Sequence, residues 1–250
     1  MTMLSQLIPD VSLKQDVMIQ GITDDSRNIK QGDLFVALPG IKHDGRAYIQ
    51  DVEGLAAAVI CEFPVPTENI GIPVVGVKDL REKTGDIASR YFGMPSQQLT
   101  VFAVTGTNGK TSVANFVAEA ATKLGKKCGV IGTLGHGIPP VLTAGSLTTP
   151  DAITLQAKLA SLLDGGCSMV ALEASSHGLA QGRLNGTLIE IAAITNISRD
   201  HLDYHDSLDD YMESKRRLLE WSTLKTAIFN LDDPRTLEIS RSAQGEAISY

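Results

Sequence analysis

From about residue 98 onward, short runs of β-branched and apolar residues alternate with longer stretches of helical periodicity. "LTVFAVTG" reads as a buried strand, "KTSVANFVAEAATKLG" as a helix ending at Gly125, and "KKCGVIGT" as the next strand. "DAITLQAKLASLLDGG" is again helical, with Asp151 placed to cap or charge its first turn and Gly165 to stop it. "CSMVALEAS", "IEIAAITNIS" and "KTAIFNLDD" continue the series of strands, each carrying polar residues at its C-terminal end. The alternation predicts a parallel sheet with crossover helices, and in such a sheet the ligand crevice lies beyond those polar ends.

The preceding residues have a different texture. Short strands ("DLFVALPG", "AAAVICE", "PVVGV") are separated by more Gly and Pro, with one helix near 79 to 92. Gly93 and Pro95 in "FGMPSQQ" break that helix, and a polar run follows. The expected fold class is therefore α/β: a small α/β N-terminal domain over residues 1–95, then a parallel-sheet domain over residues 96–250. The final stretch, "DPRTLEISRSAQGEAISY", starts a helix and then a strand without closing anything recognisable. The second domain is expected to be incomplete at its C-terminal end.

Charge narrows the partners. Hydrophobic residues make up 43% of the 250, enough for buried cores, and the formal charge is −7 with no long basic run to offset 29 acidic residues. That balance argues against a nucleic-acid or anionic-membrane partner, so an anionic ligand must be met by local positive groups. The N-terminus lacks the basic start and apolar core of a signal peptide, and the longest apolar run, "LAAAVIC", is too short to span a bilayer. A cytoplasmic protein is the expectation. Cys61, Cys128 and Cys167 lie far apart in apolar segments and read as buried thiols.

The chemistry is concentrated in four stretches. "AVTGTNGKTSVANF" runs from a strand through a Gly-rich turn into a helix, like a phosphate-binding loop of the G-x-x-x-x-G-K-[ST] kind. Gly109, Lys110 and Thr111 fit, but Val104 stands where the first glycine belongs, so the loop should be tighter. Such a turn offers backbone N–H groups to a phosphate, with Lys110 as a mobile cation and Thr111 as a hydroxyl for Mg2+. The alternative is a turn whose glycines serve geometry alone. In "ALEASSHGLAQGRL" Glu173 ends a buried strand, where it can ligate Mg2+, cap a helix or pair with a lysine. "TNISRDHLDYH" ends another strand; His201 and His205 are spaced i,i+4, but the Glu of a zinc H-E-x-x-H motif is absent. His205 reads as an ordinary polar loop residue and His201, nearer the strand end, as the better candidate. "DDYMESKRRLLEW" is an amphipathic helix with Tyr211, Leu218 and Trp221 available for the core, and Lys215, Arg216 and Arg217 read as a solvated basic face.

Taken together these blocks resemble the ATP-dependent Mur ligases of peptidoglycan synthesis. "TGTNGKT" is the loop of a superfamily that also includes folylpolyglutamate synthase and cyanophycin synthetase. "DDSRNIKQGDLFVALPGIKHDGRAYI", "LTTPDA", "EASSHGLAQGR" and "TNISRDHLDYHDSLDDYMESKRRL" are similar to the branch that acts on UDP-N-acetylmuramoyl-L-alanyl-D-glutamate. The resemblance covers essentially the whole chain and implies a first domain that grips the uridine end of the substrate and a P-loop-type central ATPase domain. A third domain, which in the family brings the incoming amino acid, is not represented here.

The resemblance also implies residue roles. Gly106, Thr107, Asn108, Gly109, Lys110 and Thr111 would bind ATP, with Asn230 approaching the adenine. Thr111 and Glu173 would hold Mg2+, and His201 a second Mg2+ together with Lys215, which is carbamylated in the family. Thr148, Thr149, Ser175, Gln181 and Arg183 match positions contacting the muramoyl peptide, and Ser26, Lys42 and His43 match the uridine-diphosphate grip. Lys110, Lys215 and His201 would be the catalytic set. The implied activity joins a diamino acid, meso-diaminopimelate or L-lysine, to UDP-muramoyl-dipeptide through an acyl phosphate. All partners are small molecules, and a monomer is expected. Folylpolyglutamate synthase is the nearest rival, disfavoured because its loop reads G-K-G-S where this one has Lys110-Thr111-Ser112. A non-catalytic module holding muramoyl nucleotide or ATP is a rival of another class.

Overall fold

The computed structural model describes residues 1–40, 44–66, 70–198 and 204–250. The chain divides into two compact units, Met1–Gly93 and Met94–Tyr250. In the first, β1 (Thr2–Met3) pairs antiparallel with β2 (Met18–Ile19), and α1 (Leu4–Leu7) follows β1 directly. β3 (Gly21–Thr23), β4 (Asp33–Ala37), β5 (Ala58–Cys61) and β6 (Val74–Gly76) form a parallel sheet in that order, and α2 (Leu80–Tyr91) follows. Phe35, Ile49, Val52 and Val59 are among the apolar residues of its core. Every residue of β4 and β5 is buried, which is why these segments read as continuous apolar runs rather than alternating ones.

The second unit is built on one sheet. Its strands are β7 (Thr100–Thr105), β8 (Cys128–Gly132), β9 (Gly135–Ile138), β10 (Val141–Thr143), β11 (Met169–Glu173), β12 (Ile191–Ile194), β13 (Thr226–Phe229) and β14 (Glu246–Ser249). The spatial order is β10-β9-β8-β11-β7-β12-β13-β14, parallel throughout except for the antiparallel β8-β9-β10 ribbon at one edge. β8 is the strand expected at "KKCGVIGT", whereas β9 and β10 do not read from the sequence, because Gly135, Gly137 and Pro139-Pro140 look like loop. Gly135 and Gly137 adopt φ of +118° and +149°, open only to glycine, and a Cβ on Gly135 would lie 2.2 Å from the Thr143 carbonyl oxygen.

Alternation along the strands divides the interior in two. Phe102, Val104, Val130 and Ala171 face α3 (Lys110–Lys123), which meets them with Ala114, Ala118 and Ala121 at helical spacing. Val101, Ala103, Val170 and Leu172 face the other way, toward Leu155, Leu159 and Leu162 of α4 (Ala152–Asp164). α4 starts as the sequence suggests, with Asp151 Oδ1 accepting from the Thr154 N–H at 2.8 Å. The same core takes Leu179 of α5 (Ser176–Ala180), Tyr211 of α6 (Leu208–Arg216) and Ile239 of α7 (Pro234–Ser240). Helices thus cover both faces and leave the C-terminal strand ends to the loops.

Cys61, Cys128 and Cys167 are all buried free thiols, and burial pushes Cys61 and Cys128 up to about 11. No described helix is long and apolar enough to cross a membrane. Leu172 is fully buried at the centre of the sheet. Replacing it with alanine is expected to lower unfolding free energy by about 2–5 kcal/mol, the range for a buried Leu→Ala cavity, read from urea denaturation.

Candidate functional site

The loop opens two residues later than the general phosphate-loop pattern suggests. Val104 belongs to β7 and is fully buried, so the position of the absent glycine is still strand and the turn begins at Gly106. Gly106 has φ of +145°, and a Cβ there would lie 1.9 Å from Thr195 Oγ1, so neither the conformation nor the space admits a side chain. The residues after β12 brace the turn. Thr195 Oγ1 donates to the Asn108 carbonyl at 2.6 Å, Asn196 Oδ1 accepts from the Asn108 N–H at 3.1 Å, and the Asn196 carbonyl accepts from the Thr107 N–H at 2.8 Å. Gly109, at φ +87°, is the N-cap of α3 and brings no capping side chain. Lys110 lies folded over the turn, its Nζ donating to the carbonyls of Gly106 at 2.8 Å and Thr107 at 3.0 Å.

Glu173 ends β11, the strand beside β7, and its side chain is wholly buried. A buried carboxylate needs donors on both oxygens. Oε1 accepts from the Thr133 N–H at 2.9 Å; Oε2 accepts from Thr111 Oγ1 at 2.9 Å and Thr133 Oγ1 at 3.0 Å. Gly132 makes room, since a Cβ there would stand 2.0 Å from Glu173 Oε1. The neighbouring threonines continue the network: Thr148 Oγ1 lies 3.0 Å from Thr133 Oγ1, and Thr149 Oγ1 donates to the Glu173 carbonyl at 2.7 Å. Ser175 meets Thr149 twice, through its N–H at 2.9 Å and its hydroxyl at 3.0 Å.

Helix α6 brings the third component. Lys215, read from the sequence as part of a solvated face, is 1% exposed, whereas Arg216 is on the surface between Glu213 and Glu220 at 2.6 Å from each. The Lys215 amine lies 4.3 Å from the centre of the Tyr211 ring and 3.5 Å from Thr105 Oγ1. The Tyr211 hydroxyl in turn lies 3.0 Å from Thr107 Oγ1, tying α6 to the phosphate-loop candidate. His205 also differs from its reading: it is 2% exposed, its Nδ1 3.0 Å from Asp210 Oδ2, with the rings of His177, Tyr204 and Tyr211 around it.

A cavity of about 260 Å³ joins these parts. Thr107, Asn108, Gly109, Lys110 and Thr111 line one side, and Glu173, Thr148, Ser175 and Lys215 line it too. Thr133 and Tyr211 also line it, and the sequence reading passed over Thr133 entirely. Arg183 is placed beside this group rather than in the lining. Its Nη1 donates to the Thr149 carbonyl at 2.7 Å, and Nε and Nη2 grip Gln181 Oε1 at 3.0 and 2.7 Å. Burial lowers the Arg183 pKa from its ordinary value. Gln181 is further held by donating to the Tyr204 hydroxyl at 3.0 Å. Asn230 follows β13 and donates to the Thr195 carbonyl at 3.1 Å. In the first unit, Ser26 lines a separate cavity of about 590 Å³ with Arg27, Phe35, Tyr48 and Arg81. Lys42, His43 and His201 lie outside the described residues.

The Mur ligase middle domain profile matches residues 104–250, and the profile described as Mur ligase family, catalytic domain, matches residues 18–92. A protein of Pseudomonas syringae pv. tomato named UDP-N-acetylmuramoyl-L-alanyl-D-glutamate–2,6-diaminopimelate ligase is 47% identical over 222 residues, covering 88% of this chain and 46% of the relative. Its namesake from Pseudomonas aeruginosa is 43% identical over an alignment covering 99% of this chain and 51% of that protein. A solved structure of a ligase of the same name superposes with TM-score 0.86 at 36% identity, over 100% of this chain and 52% of the other. MurF ligase from Thermotoga maritima, solved in complex with ADP, shares the fold at 20% identity, with TM-score 0.64 over 92% of this chain and 50% of its own. The chain spans about half the length of the curated relatives it matches. With the middle-domain profile alone accounting for residues 104–250, more than half of its length, the chain belongs to the Mur ligase family.

Proposed function

We propose that this chain carries the nucleotide- and muramoyl-binding machinery of a cytoplasmic ATP-dependent ligase that joins a diamino acid to UDP-N-acetylmuramoyl-L-alanyl-D-glutamate. The observation that carries the reading is one cavity in which a strand-to-helix glycine turn with Lys110 faces a buried carboxylate, Glu173, already bonded to Thr111. The names of the relatives favour 2,6-diaminopimelate over L-lysine as the incoming amine.

In this reading the backbone N–H groups at the start of α3 and the Lys110 ammonium hold the terminal phosphates of ATP, Lys110 exchanging its loop carbonyls for phosphate oxygens. Glu173 and Thr111 suit Mg2+, because a hard dication takes oxygen donors and both residues line the cavity with theirs. When bound, the ion neutralises charge on the transferring phosphoryl group. Thr148, Thr149 and Ser175, with Gln181 set by Arg183, orient the D-glutamyl end of the acceptor. A carboxylate oxygen attacks the γ-phosphorus, the bond to ADP breaks, and the resulting acyl phosphate is attacked by the amine at its carbonyl carbon with loss of phosphate and of the amine proton. Positioning and charge complementarity supply the rate without a protein nucleophile. Ser26 is assigned to the uridine-diphosphate end and Asn230 to the adenine, with Lys42 and His43 as further candidates for the former.

Lys215 is assigned as a carbamate that holds a second Mg2+ with His201. An amine that is 1% exposed is cut off from bulk water, and addition of its neutral form to CO2, with release of a proton, converts it into an anion suited to a cation.

Two outcomes follow. Lys110→Ala should weaken ATP binding to this chain by about tenfold or more, since a charge-assisted hydrogen bond is worth roughly 1.5–3 kcal/mol, and should abolish turnover in the full-length ligase; equilibrium dialysis with ATP reads the first. Unchanged ATP affinity would remove the phosphate-loop assignment. Incubation with carbon-13 bicarbonate should give a carbamate resonance in the wild-type chain that Lys215→Arg lacks, and a wild-type spectrum without it would contradict the carbamate.

A further inference from the structure

We propose that Thr133 is the positioning residue that fixes which face of the Glu173 carboxylate is presented to a divalent cation, an inference that rests on the nucleotide-binding reading above. Thr133 follows Gly132, the last residue of β8, at the strand end next to β11. It addresses both oxygens of one carboxylate: its N–H donates to Oε1 at 2.9 Å and its hydroxyl to Oε2 at 3.0 Å.

The direction of these bonds is constrained. A hydroxyl has one hydrogen, and a carboxylate only accepts, so the Thr133 hydrogen is committed to Glu173. Thr148 Oγ1, 3.0 Å from Thr133 Oγ1, must then be the donor of that pair. The result is a one-way chain from Thr148 through Thr133 to Glu173, with Thr111 donating to the same Oε2 from α3 at 2.9 Å. Oε1 is turned to the backbone of Thr133, whose N–H it accepts, in the space that Gly132 leaves open by having no side chain. Oε2 is the oxygen bonded to Thr111, a residue that lines the cavity with Glu173, hence the one offered to a cation.

Thr111 and Thr133 have different parts in this arrangement. Glu173 Oε2 and the Thr111 hydroxyl oxygen would offer lone pairs to the cation, so the hydrogen bond between them would be given up on binding. Both donors of Thr133 remain, holding the carboxylate from behind. Outer partners of this kind commonly change metal affinity by about 10–100-fold when removed. The chain to Thr148 also connects the cation side of the cavity to a residue assigned to the muramoyl substrate.

The test compares the affinity of the 250-residue chain for a non-hydrolysable ATP analogue in EDTA and in saturating Mg2+, for wild type, Thr133→Val and Thr133→Ser. Valine keeps the branched shape and the N–H and removes the hydroxyl. The expected result is that Mg2+ tightens binding to wild type, that the gain shrinks by about tenfold in Thr133→Val, that Thr133→Ser restores it, and that the affinity in EDTA is the same for all three. A Thr133→Val chain with the wild-type Mg2+ gain overturns the inference and leaves the nucleotide reading intact. Equal loss with and without Mg2+ also overturns it, since that marks a general structural role, which Thr133→Ser and thermal melting of each variant would confirm. Wild type that binds the analogue with no Mg2+ gain removes the metal assignment of Glu173 and the inference with it.

Discussion

A fully buried carboxylate at the end of a central strand is the constraint around which the second unit is arranged. Glu173 must have its negative charge met by donors that the strand itself does not supply. They come from two separate segments, Thr111 on the first turn of α3 and Thr133 after β8, while Thr149 ahead of α4 donates to the backbone carbonyl of the same residue. The parallel order β8-β11-β7 makes this possible, because it delivers the ends of three consecutive neighbours to the same edge of the sheet. Gly132 belongs to the same solution, since any side chain there would occupy the space of the carboxylate.

The turn at Gly106 is held in a comparable way from the opposite side. Because β7 continues to Thr105, the loop is short and lacks slack, and its shape is imposed by Thr195 and Asn196 rather than by its own length. Tyr211 adds a link from α6 to Thr107 while its ring faces the Lys215 amine. Loop, carboxylate and lysine are thus positioned by side chains from four strand ends and two helices. Such convergence favours a preorganised site, in which little reordering remains to be done on binding.

Most of the architecture was legible because it depends on local signals. Continuous apolar runs such as "LTVFAVTG" announce strands buried on both faces, and Asp151 and Gly165 delimit α4 through capping chemistry that acts within one turn. The β9-β10 ribbon was not legible, since its glycines and prolines signal loop and its pairing depends on backbone conformations seen only in three dimensions. Glu173, Lys110 and Thr111 stand out by their place at strand and helix ends. Thr133 does not, because nothing in "IGTLG" distinguishes a threonine that grips a carboxylate from one in any turn. Lys215 and His205 show the same limit: both are polar residues in polar surroundings along the chain, and their burial is decided by α6 packing against the sheet and by rings distant in sequence. Family resemblance singled out Lys215 where periodicity could not.

Under the proposed function, the cavities of this chain serve a muramoyl nucleotide and ATP. Calorimetric titration with UDP-N-acetylmuramoyl-L-alanyl-D-glutamate, with a folate substrate titrated in parallel, tests it most directly. Saturable binding of the muramoyl nucleotide and none of the folate is the predicted result. Binding of the folate alone, or of neither ligand to a chain shown to be folded, would contradict it.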